Sequence, residues 1–325
     1  MAIKIGNKNI NKAYLGGVEI KKLYLGENVV FDNTFIPFII EVDTSKTGTS
    51  NDNQFQFTGV EGDYDVVAKQ NNIVVANFND LSNQETITLP SSGVYDLEVF
   101  PKASNGFDRI RFGDGGDKDK MLDIKQWGTI VWSSFDNAFY GCENMLATAT
   151  DIPDLSDVTN MRSMFENASS ANPDVSNWDV SNVNNMKSMF ENASSANPDV
   201  SNWDVSSVTS MRSMFNSASS ANPNVSNWDV SSVTSMGLMF YYATSANPDT
   251  SNWDVSSVTD MGRMLENSNL SEENLTSIYE NWSQLTLQQN VAFSAGNTKY
   301  NASGQAGRDI LVNTYNWLIT DGGQV

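Results

Sequence analysis

Hydrophobic and polar residues follow three different rhythms along this chain, and each rhythm predicts its own kind of element. Over the first 32 residues the period is ten: IKIGNKNINK, AYLGGVEIKK and LYLGENVVFD occupy residues 3–12, 13–22 and 23–32. Short apolar runs that end at Gly-X predict strands and turns. Three such strands cannot bury their own face, so we expect residues 1–33 to complete their sheet on partner chains, as an attachment or oligomerisation segment. The alternative is an edge extension of the following domain.

Residues 34–113 alternate with the period of two that predicts half-buried strands. Seven short runs are separated by turn formers: FIPFIIEV, NQFQFTG, YDVVAKQ, NIVVANF, ETITLP, GVYDLEVF and RIRFG. Seven strands at this spacing predict an immunoglobulin-like β-sandwich, although the Cys–Trp–Cys hallmark is missing. GVYDLEV resembles a tyrosine-corner strand, with Tyr95 near its start. The segment carries no recognisable chemistry, and we expect it to act as a spacer or presenter.

Residues 114–268 repeat with a period of 25, and residues 186–210 and 211–235 agree at 21 of 25 positions. A period of this length predicts a leucine-rich-repeat-type solenoid, in which each coil contains a strand, a turn and a short helical piece. In one copy we place the strand around Val200–Val205 and a helical turn from Thr209 onward. The inward face of that turn is predicted to consist of Met211, Met214, Phe215 and Ala218.

Identical residues recur in columns one period apart, as the stacking of copies requires, and we expect these columns to be core. The tryptophan column is Trp178, Trp203, Trp228 and Trp253, and the aspartate column beside it is Asp179, Asp204, Asp229 and Asp254. Because like charges one strand spacing apart repel, these aspartates are expected to accept hydrogen bonds from backbone N–H groups or to hold cations. The asparagines Asn172, Asn197, Asn222 and Asn247 are expected to satisfy the backbone of a sharp turn.

The repeat register extends backward in a weaker form and forward into a cap. Trp127, Phe135, Phe139 and Cys142 fall in the Trp, Met, Phe and Ala columns, so we expect Cys142 to be a packing residue. Residues 269–325 predict a C-terminal cap: Ser271 begins a helix over 272–284, and a second helix near 306–315 and a strand at 317–320 follow. The predicted fold is therefore mainly β with short helices.

Composition narrows the classes of function. The 325 residues carry a net charge of −20, no histidine and one cysteine. Without histidine the commonest general base and the commonest transition-metal ligand are missing, and the negative charge argues against nucleic acid or anionic membrane as a partner. We expect a protein that is not an enzyme and that has no cofactor. Residues 1–32 hold five lysines against three acids, so the remainder carries −22, and the two ends are expected to have different roles.

Positions at which the copies differ are the candidates for receptor binding. Tyr241 and Tyr242 interrupt the pattern with two rings of the kind that stack on sugars. A second candidate is a basic ridge formed by Arg162, Lys187 and Arg212. The alternative is that these cations only pair with glutamates at i, i+4 on a solvated helix.

The segment GDGGDKDK contains three aspartates, Asp114, Asp117 and Asp119, in an acidic loop. Carboxylates in such a loop are ligands that Ca²⁺ prefers, although the full EF-hand spacing is absent. The alternative interpretation is a turn that leads into the solenoid.

The unit NPDVSNWDVSSVTSMxSMFxxA resembles the repeat of the BspA-like, or mycoplasma-lipoprotein-type, leucine-rich-repeat family of bacterial surface antigens, over residues 115–270. The resemblance implies adhesion or recognition at a cell surface and supplies no catalytic residues. Residues beyond 270 resemble the cap that follows such repeats. The YLGG and YLGE head instead resembles the start of bacteriophage structural proteins.

The leading hypothesis is a bacteriophage virion protein, a fibre or surface adhesin assembled in the host cytoplasm. Residues 1–33 would bind other virion proteins, and the solenoid would bind a glycan or protein receptor on the host cell. A signal segment is not evident, which fits release by lysis. A homo-oligomer is expected, with a trimer as the usual state of fibres. The alternatives are a bacterial cell-surface adhesin of the BspA-like family and, third, a polysaccharide-degrading tailspike with paired carboxylates.

Overall fold

The structure is a computed structural model that describes residues 35–102 and 107–325 in full, together with the backbone of six short strands before them. These strands are β1 (Ile3–Ile5), β2 (Lys8–Ile10), β3 (Ala13–Leu15), β4 (Val18–Ile20), β5 (Lys22–Leu25) and β6 (Asn28–Asp32). They pair as three antiparallel hairpins, β1–β2, β3–β4 and β5–β6. Each ten-residue period thus forms a hairpin, where the pattern predicted one strand. The predicted attachment contacts of residues 1–33 lie outside the described residues.

The next part of the chain forms two antiparallel sheets. Its strands are β7 (Phe38–Asp43), β8 (Gln54–Gln56), β9 (Asp63–Gln70), β10 (Ile73–Ser82), β11 (Thr86–Thr88), β12 (Val94–Pro101) and β13 (Met121–Gln126). The larger sheet has the order β10-β9-β12-β7-β13, and β11 pairs with β8 in the smaller one. Alternate residues of β7, β9 and β12 are buried, so the predicted period of two is confirmed. The sequence therefore located six of these strands.

The predicted strand at RIRFG is wrong, and β13 takes the remaining place in the large sheet. Residues 109–113 lie along the first copy of the repeat, because Arg109 forms a parallel bridge with Ser134 and the N–H of Phe112 donates to the carbonyl of Ala138. β13 pairs instead with β7. Residues 109–113 therefore belong to the repeats, and β13, which follows them in the chain, belongs to the large sheet. The two parts are not divided at the predicted boundary at 113.

The repeats stack through backbone hydrogen bonds between successive copies. A parallel bridge connects Asn160, Asn185, Ser210, Ser235 and Asp260 in sequence. In the copy that follows Ser210, alternate N–H groups donate to the next copy. Met211, Ser213, Phe215 and Ser217 donate to Ser235, Gly237, Met239 and Tyr241 over 2.7–2.9 Å. The ladder holds every copy at one strand spacing from its neighbours.

Both local assignments within the copy 197–221 are wrong. Residues 200–205 form turns and extended segments, not a strand, and residues 211–218 form a series of tight turns, not a helix. The N–H groups of Met214 and Ala218 close i, i+3 turns, while Ser213 and Ser217 are left-handed, with φ of 57° and 58°. The N–H groups of Phe215 and Ser217 bond to the neighbouring copy, so they cannot form the i, i+4 bonds of a helix.

Aromatic columns fill the interior of the stack, as predicted. Phe165, Phe190, Phe215 and Phe240 stack with centroids 5.5–5.6 Å apart and planes within 13°. Trp203, Trp228 and Trp253 stack at 6.3–6.5 Å. Phe139 continues the phenylalanine column onto Phe165 at 5.8 Å, which confirms that the register extends backward. Trp127 contacts both Phe38 and Trp178, so the core of the sheet is continuous with that of the stack.

The C-terminal segment covers the last copy much as the sequence predicted. Helix α1 (Glu272–Trp282) begins after Ser271, whose hydroxyl accepts from the N–H of Asn274 at 3.2 Å. Helix α2 (Gln305–Tyr315) packs against α1, and β14 (Ala292–Ser294) pairs in parallel with β15 (Leu318–Thr320). Among the described residues, neither helix is long and apolar enough to cross a bilayer.

Candidate functional site

Each aspartate of the aspartate column closes a turn with its own side chain. Each carboxylate of Asp179, Asp204, Asp229 and Asp254 accepts from the backbone N–H of the serine two residues later, at 3.0–3.1 Å. This confirms the predicted capping role. The hydrogen bonds lower the pKa of Asp179 and Asp229 below the ordinary value, because the serine hydroxyl and N–H favour the carboxylate.

The asparagine column connects the copies by the predicted route. The side-chain oxygens of Asn172, Asn197 and Asn222 each accept from the backbone N–H of the next asparagine at 2.9 Å. Asn247 accepts in the same way from the N–H of Ser271, where the cap begins. The repeated aspartates and asparagines therefore belong to the scaffold.

The acidic loop that the sequence marked as a calcium candidate does not gather its three aspartates. Asp117 is fully buried and accepts from the N–H groups of Ser50 and Gln56, with the ammonium of Lys120 at 3.7 Å. Asp114 and Asp119 lie instead beside the ammonium of Lys118, at 3.4 and 3.3 Å. Within residues 35–102 and 107–325, no three acidic or cysteine side chains are close enough together to hold a metal ion.

Cys142, the one cysteine of the chain, lies in the core of the first copy. It is fully buried, and its N–H closes the same turn onto Phe139 that Ala168 closes onto Phe165. Burial raises the pKa of its thiol well above the ordinary value, since the thiolate would be desolvated. The packing role predicted from the column is confirmed.

The three cations of the predicted ridge have different surroundings. Arg212 reaches across the next copy to the carboxylate of Asp260, 48 residues later, at 2.6 Å. Gly237 makes this route possible, because a Cβ there would collide with the guanidinium of Arg212. Arg162 is exposed and Lys187 is half-buried, two and one copies earlier. The pairing of Arg212 leaves the ridge without a free cation at the end nearest the tyrosines.

Tyr241 and Tyr242 form an edge-to-face pair at the surface. Their ring centroids are 4.5 Å apart at an interplanar angle of 81°, and Tyr242 is 47% exposed. The guanidinium of Arg263 lies 4.2 Å from the centre of the Tyr241 ring, in a cation–π contact. Arg263 also donates two hydrogen bonds to Glu266, at 3.1 and 3.0 Å. One face of Tyr241 is therefore occupied, and Tyr242 is the more exposed of the two rings.

The sequence did not predict the part that Arg263 and Glu266 take in this cluster. Arg263 occupies the column of Ser163, Ser188 and Ser213, which are buried, whereas Arg263 is exposed. The guanidinium lowers the pKa of Glu266 by donating to its carboxylate. The available signal was the loss of serine from this column in the last two copies, which have Leu238 and then Arg263. It coincides with glycine at positions 237 and 262, where the earlier copies have arginine or lysine.

Stacked, nearly identical copies with one local cluster of departures define this chain as a repeat protein. Two overlapping segments, residues 133–225 and 195–303, match the family model described as "Mycoplasma protein of unknown function, DUF285". Together they span more than half of the chain, and the chain belongs to this family, which is associated with BspA-like surface repeat proteins. Neither the comparison with curated proteins nor the comparison with solved structures gave a match.

Proposed function

We propose that this chain is a recognition protein displayed on a surface, that it is not an enzyme, and that it needs no cofactor. The observation that carries the proposal is the Tyr241–Tyr242 pair, which interrupts a uniform scaffold at one exposed place. Aromatic side chains that combine apolar area with a polar group are enriched in binding surfaces. Membership of a family associated with surface repeat proteins supports the same function.

In this proposal the stack is a leucine-rich-repeat-type solenoid, and the sheets beneath it form an immunoglobulin-like sandwich that acts as its base. The parallel bridges from Asn160 to Asp260 and the stacked aromatic columns support the solenoid. The hydroxyl of Tyr95 donates to the carbonyl of Ser91 at 2.8 Å, which is the contact of a tyrosine corner and supports the sandwich. The four parts are residues 1–33, 34–113, 114–268 and 269–325.

The carrier that we propose is a bacteriophage virion, with residues 1–33 bound to other virion proteins. Three successive hairpins of one ten-residue pattern support an attachment segment that assembles as a homo-oligomer, for which a trimer is the proposed state. The net charge of −20 favours neither nucleic acid nor anionic membrane as a partner. The family match supports a second candidate, a bacterial cell-surface adhesin.

Immunogold electron microscopy distinguishes the two carriers. An antibody raised against residues 114–325 is applied to the lysate that yields the protein and to intact producing cells. Gold on particle fibres or surfaces is the expected result, whereas gold on the cell envelope establishes the adhesin. Label found only in the soluble fraction, on neither particles nor envelopes, contradicts display on a surface.

A further inference from the structure

The conformation of Tyr242 indicates that this residue is present for a purpose other than folding. Its backbone is left-handed, with φ of 55°. The equivalent positions in the other copies have nearly the same φ, and they are Asn167, Asn192, Ser217 and Asn267. A left-handed conformation is unfavourable for a residue with a bulky side chain, and asparagine reduces this penalty by local hydrogen bonding. The chain thus keeps a large ring where its own repeat favours a small amide.

The ring is also held in a fixed orientation. Tyr241 packs against it edge to face, and the guanidinium of Arg263 lies over the ring of Tyr241. Arg263 is itself held by two hydrogen bonds to Glu266, which also accepts from the hydroxyl of Ser294 at 3.3 Å. A flat, preorganised aromatic surface loses little conformational entropy when a ligand settles on it.

Charge restricts the kind of ligand that this surface can take. Arg212 is paired with Asp260, and Arg263 is paired with Glu266. The cation over the Tyr241 ring and the last cation of the predicted ridge are therefore both neutralised, on a molecule with a net charge of −20. An anionic ligand would approach against the field of the whole protein. A neutral ligand with an apolar face and many hydroxyl groups meets no such barrier.

The polar groups beside Tyr242 recur at the spacing of the stack. Ser217 precedes it by one copy and Asn267 follows by one, so the three side chains stand in line along the axis of the stack. One column over, the amide of Asn216 donates to the carboxylate of Glu191 at 2.7 Å. Copies one strand spacing apart, about 4.8 Å, place a polar group at intervals of about the length of one hexose unit.

We propose that Tyr242 is the platform of a binding site for a neutral, linear glycan that lies along the axis of the stack. One sugar ring places its C–H face on Tyr242, and the hydroxyls of the next units hydrogen-bond to Ser217 on one side and Asn267 on the other. The inference rests on the proposed recognition function and names the chemical class of its ligand.

The test is calorimetric titration of the full chain with linear neutral hexasaccharides of glucose, mannose, galactose and N-acetylglucosamine, and with an anionic oligogalacturonate. The key variant is Tyr242→Asn, which restores the residue type of Asn192 and is expected to fold at least as stably. Tyr242→Phe keeps the ring. Asn167→Ser, at the far end of the same column, is the matched control.

We expect at least one neutral hexasaccharide to bind, with an affinity that changes little between about 0.05 M and about 0.5 M salt, because no ion pair is formed. Tyr242→Asn should weaken the affinity at least about tenfold by removing apolar contact area. Tyr242→Phe and Asn167→Ser should bind like the wild type. Failure of every neutral hexasaccharide to bind, equal affinity in Tyr242→Asn, or salt-sensitive preference for the oligogalacturonate each overturns the inference.

Failure of this inference is distinguishable from failure of the proposed function. If the protein is found on particles or envelopes and adheres to cells, but no neutral hexasaccharide binds or competes, the ligand class is wrong and the recognition function stands. If the protein is on neither surface and adheres to no cell, the recognition function is wrong as well.

Discussion

Three of the four tryptophans in the column pack and hydrogen-bond at the same time. The indole N–H groups of Trp203, Trp228 and Trp253 donate to carbonyls 28 residues earlier, at 2.9–3.0 Å. Trp282 of the cap continues the column by donating to Thr250 at 3.0 Å. Trp178, at the start, is 95% buried and its indole nitrogen has no partner among the described residues. Trp178 therefore differs from the later tryptophans of the column, such as Trp228, by the absence of one indole hydrogen bond.

This difference predicts unequal effects of one substitution. Trp228→Phe removes the indole hydrogen bond to the carbonyl of Val200, which keeps only its bond from the N–H of Trp203. Trp178→Phe removes an N–H that has no acceptor among the described residues. We expect Trp228→Phe to lower the free energy of unfolding by about 0.5–1.5 kcal/mol more than Trp178→Phe does, which is the net contribution of one hydrogen bond. Urea unfolding of both variants measures the difference. Equal losses would contradict a contribution from the indole hydrogen bond.

The serine-capped aspartates predict part of the acid sensitivity of the fold. Hydrogen bonds from Ser201 and Ser231 lower the pKa of Asp199 and Asp229 in the folded state, below the unfolded value of about 3.9. Because the unfolded state then binds more protons, their stabilisation is complete above about pH 4 and is lost as the pH falls through the lowered pKa.

A double variant isolates that contribution. Asn224 occupies one of these turns naturally and accepts from the N–H and hydroxyl of Ser226 at 3.3 and 2.9 Å. We therefore expect Asp199→Asn with Asp229→Asn to keep the turns and to show a smaller fall in Tm than the wild type when the pH is lowered from about 4 to about 2. Asp157→Asn, an exposed change outside both turns, should leave the fall unchanged. An identical pH profile in the double variant would refute this origin.

At the scale of elements, the sequence predicted the cap far better than the interior of a repeat. The cap follows local rules, because Ser271 and the apolar face after it specify a helix within one segment. In the repeat, the spacing of Met211, Met214 and Phe215 suits a helix, but alternate N–H groups from Met211 onward donate to the next copy. Periodicity within one copy cannot distinguish those two sets of hydrogen bonds.

Loss of the N-cap tests how far α1 depends on that local signal. Ser271→Ala removes the side-chain oxygen that accepts from Asn274, and we expect it to lower the free energy of unfolding by about 1 kcal/mol. Ser277→Ala on the same helix removes no such cap and should be neutral or slightly stabilising, since alanine has the higher helix propensity. Chemical denaturation of both variants provides the comparison. Similar effects at the two positions would mean that tertiary packing alone determines where α1 begins.

The residues of the candidate site that break the repeat could be predicted from the sequence. The contacts that join residues of different copies could not. Tyr241 and Tyr242 are departures from the repeat that the amino-acid sequence itself shows. The pairing of Arg212 with Asp260 spans 48 residues and requires the glycine between them, so no local pattern reveals it. For the same reason the sequence does not show that the three aspartates of the acidic loop lie beside Lys118 and Lys120.

At the scale of the whole molecule, the stack consists of contacts between nearest neighbours that recur in every copy. The stability of such a structure is the sum of each copy and its two interfaces. The donor and acceptor of each ladder bond, the stacked rings and the asparagine bridges all recur at the same interval of 25 residues. A copy removed at a copy boundary should therefore leave the remaining contacts in register.

Deletion of residues 197–221 tests this directly, because Ala196 then joins Asn222. Every column loses one member, and the remaining members stay in register. In the deletion variant we expect the N–H of Asn222 to donate to the side-chain oxygen of Asn172. Lys187 takes the place of Arg212 opposite Asp260. We expect a folded protein with the wild-type near-ultraviolet tryptophan signal and a lower but still cooperative Tm. Deletion of residues 197–209 removes about half as many residues but leaves a copy without its tryptophan and its two serine-capped turns, so we expect loss of that signal. If the smaller deletion is the less damaging one, the stack does not behave as a sum of interchangeable copies.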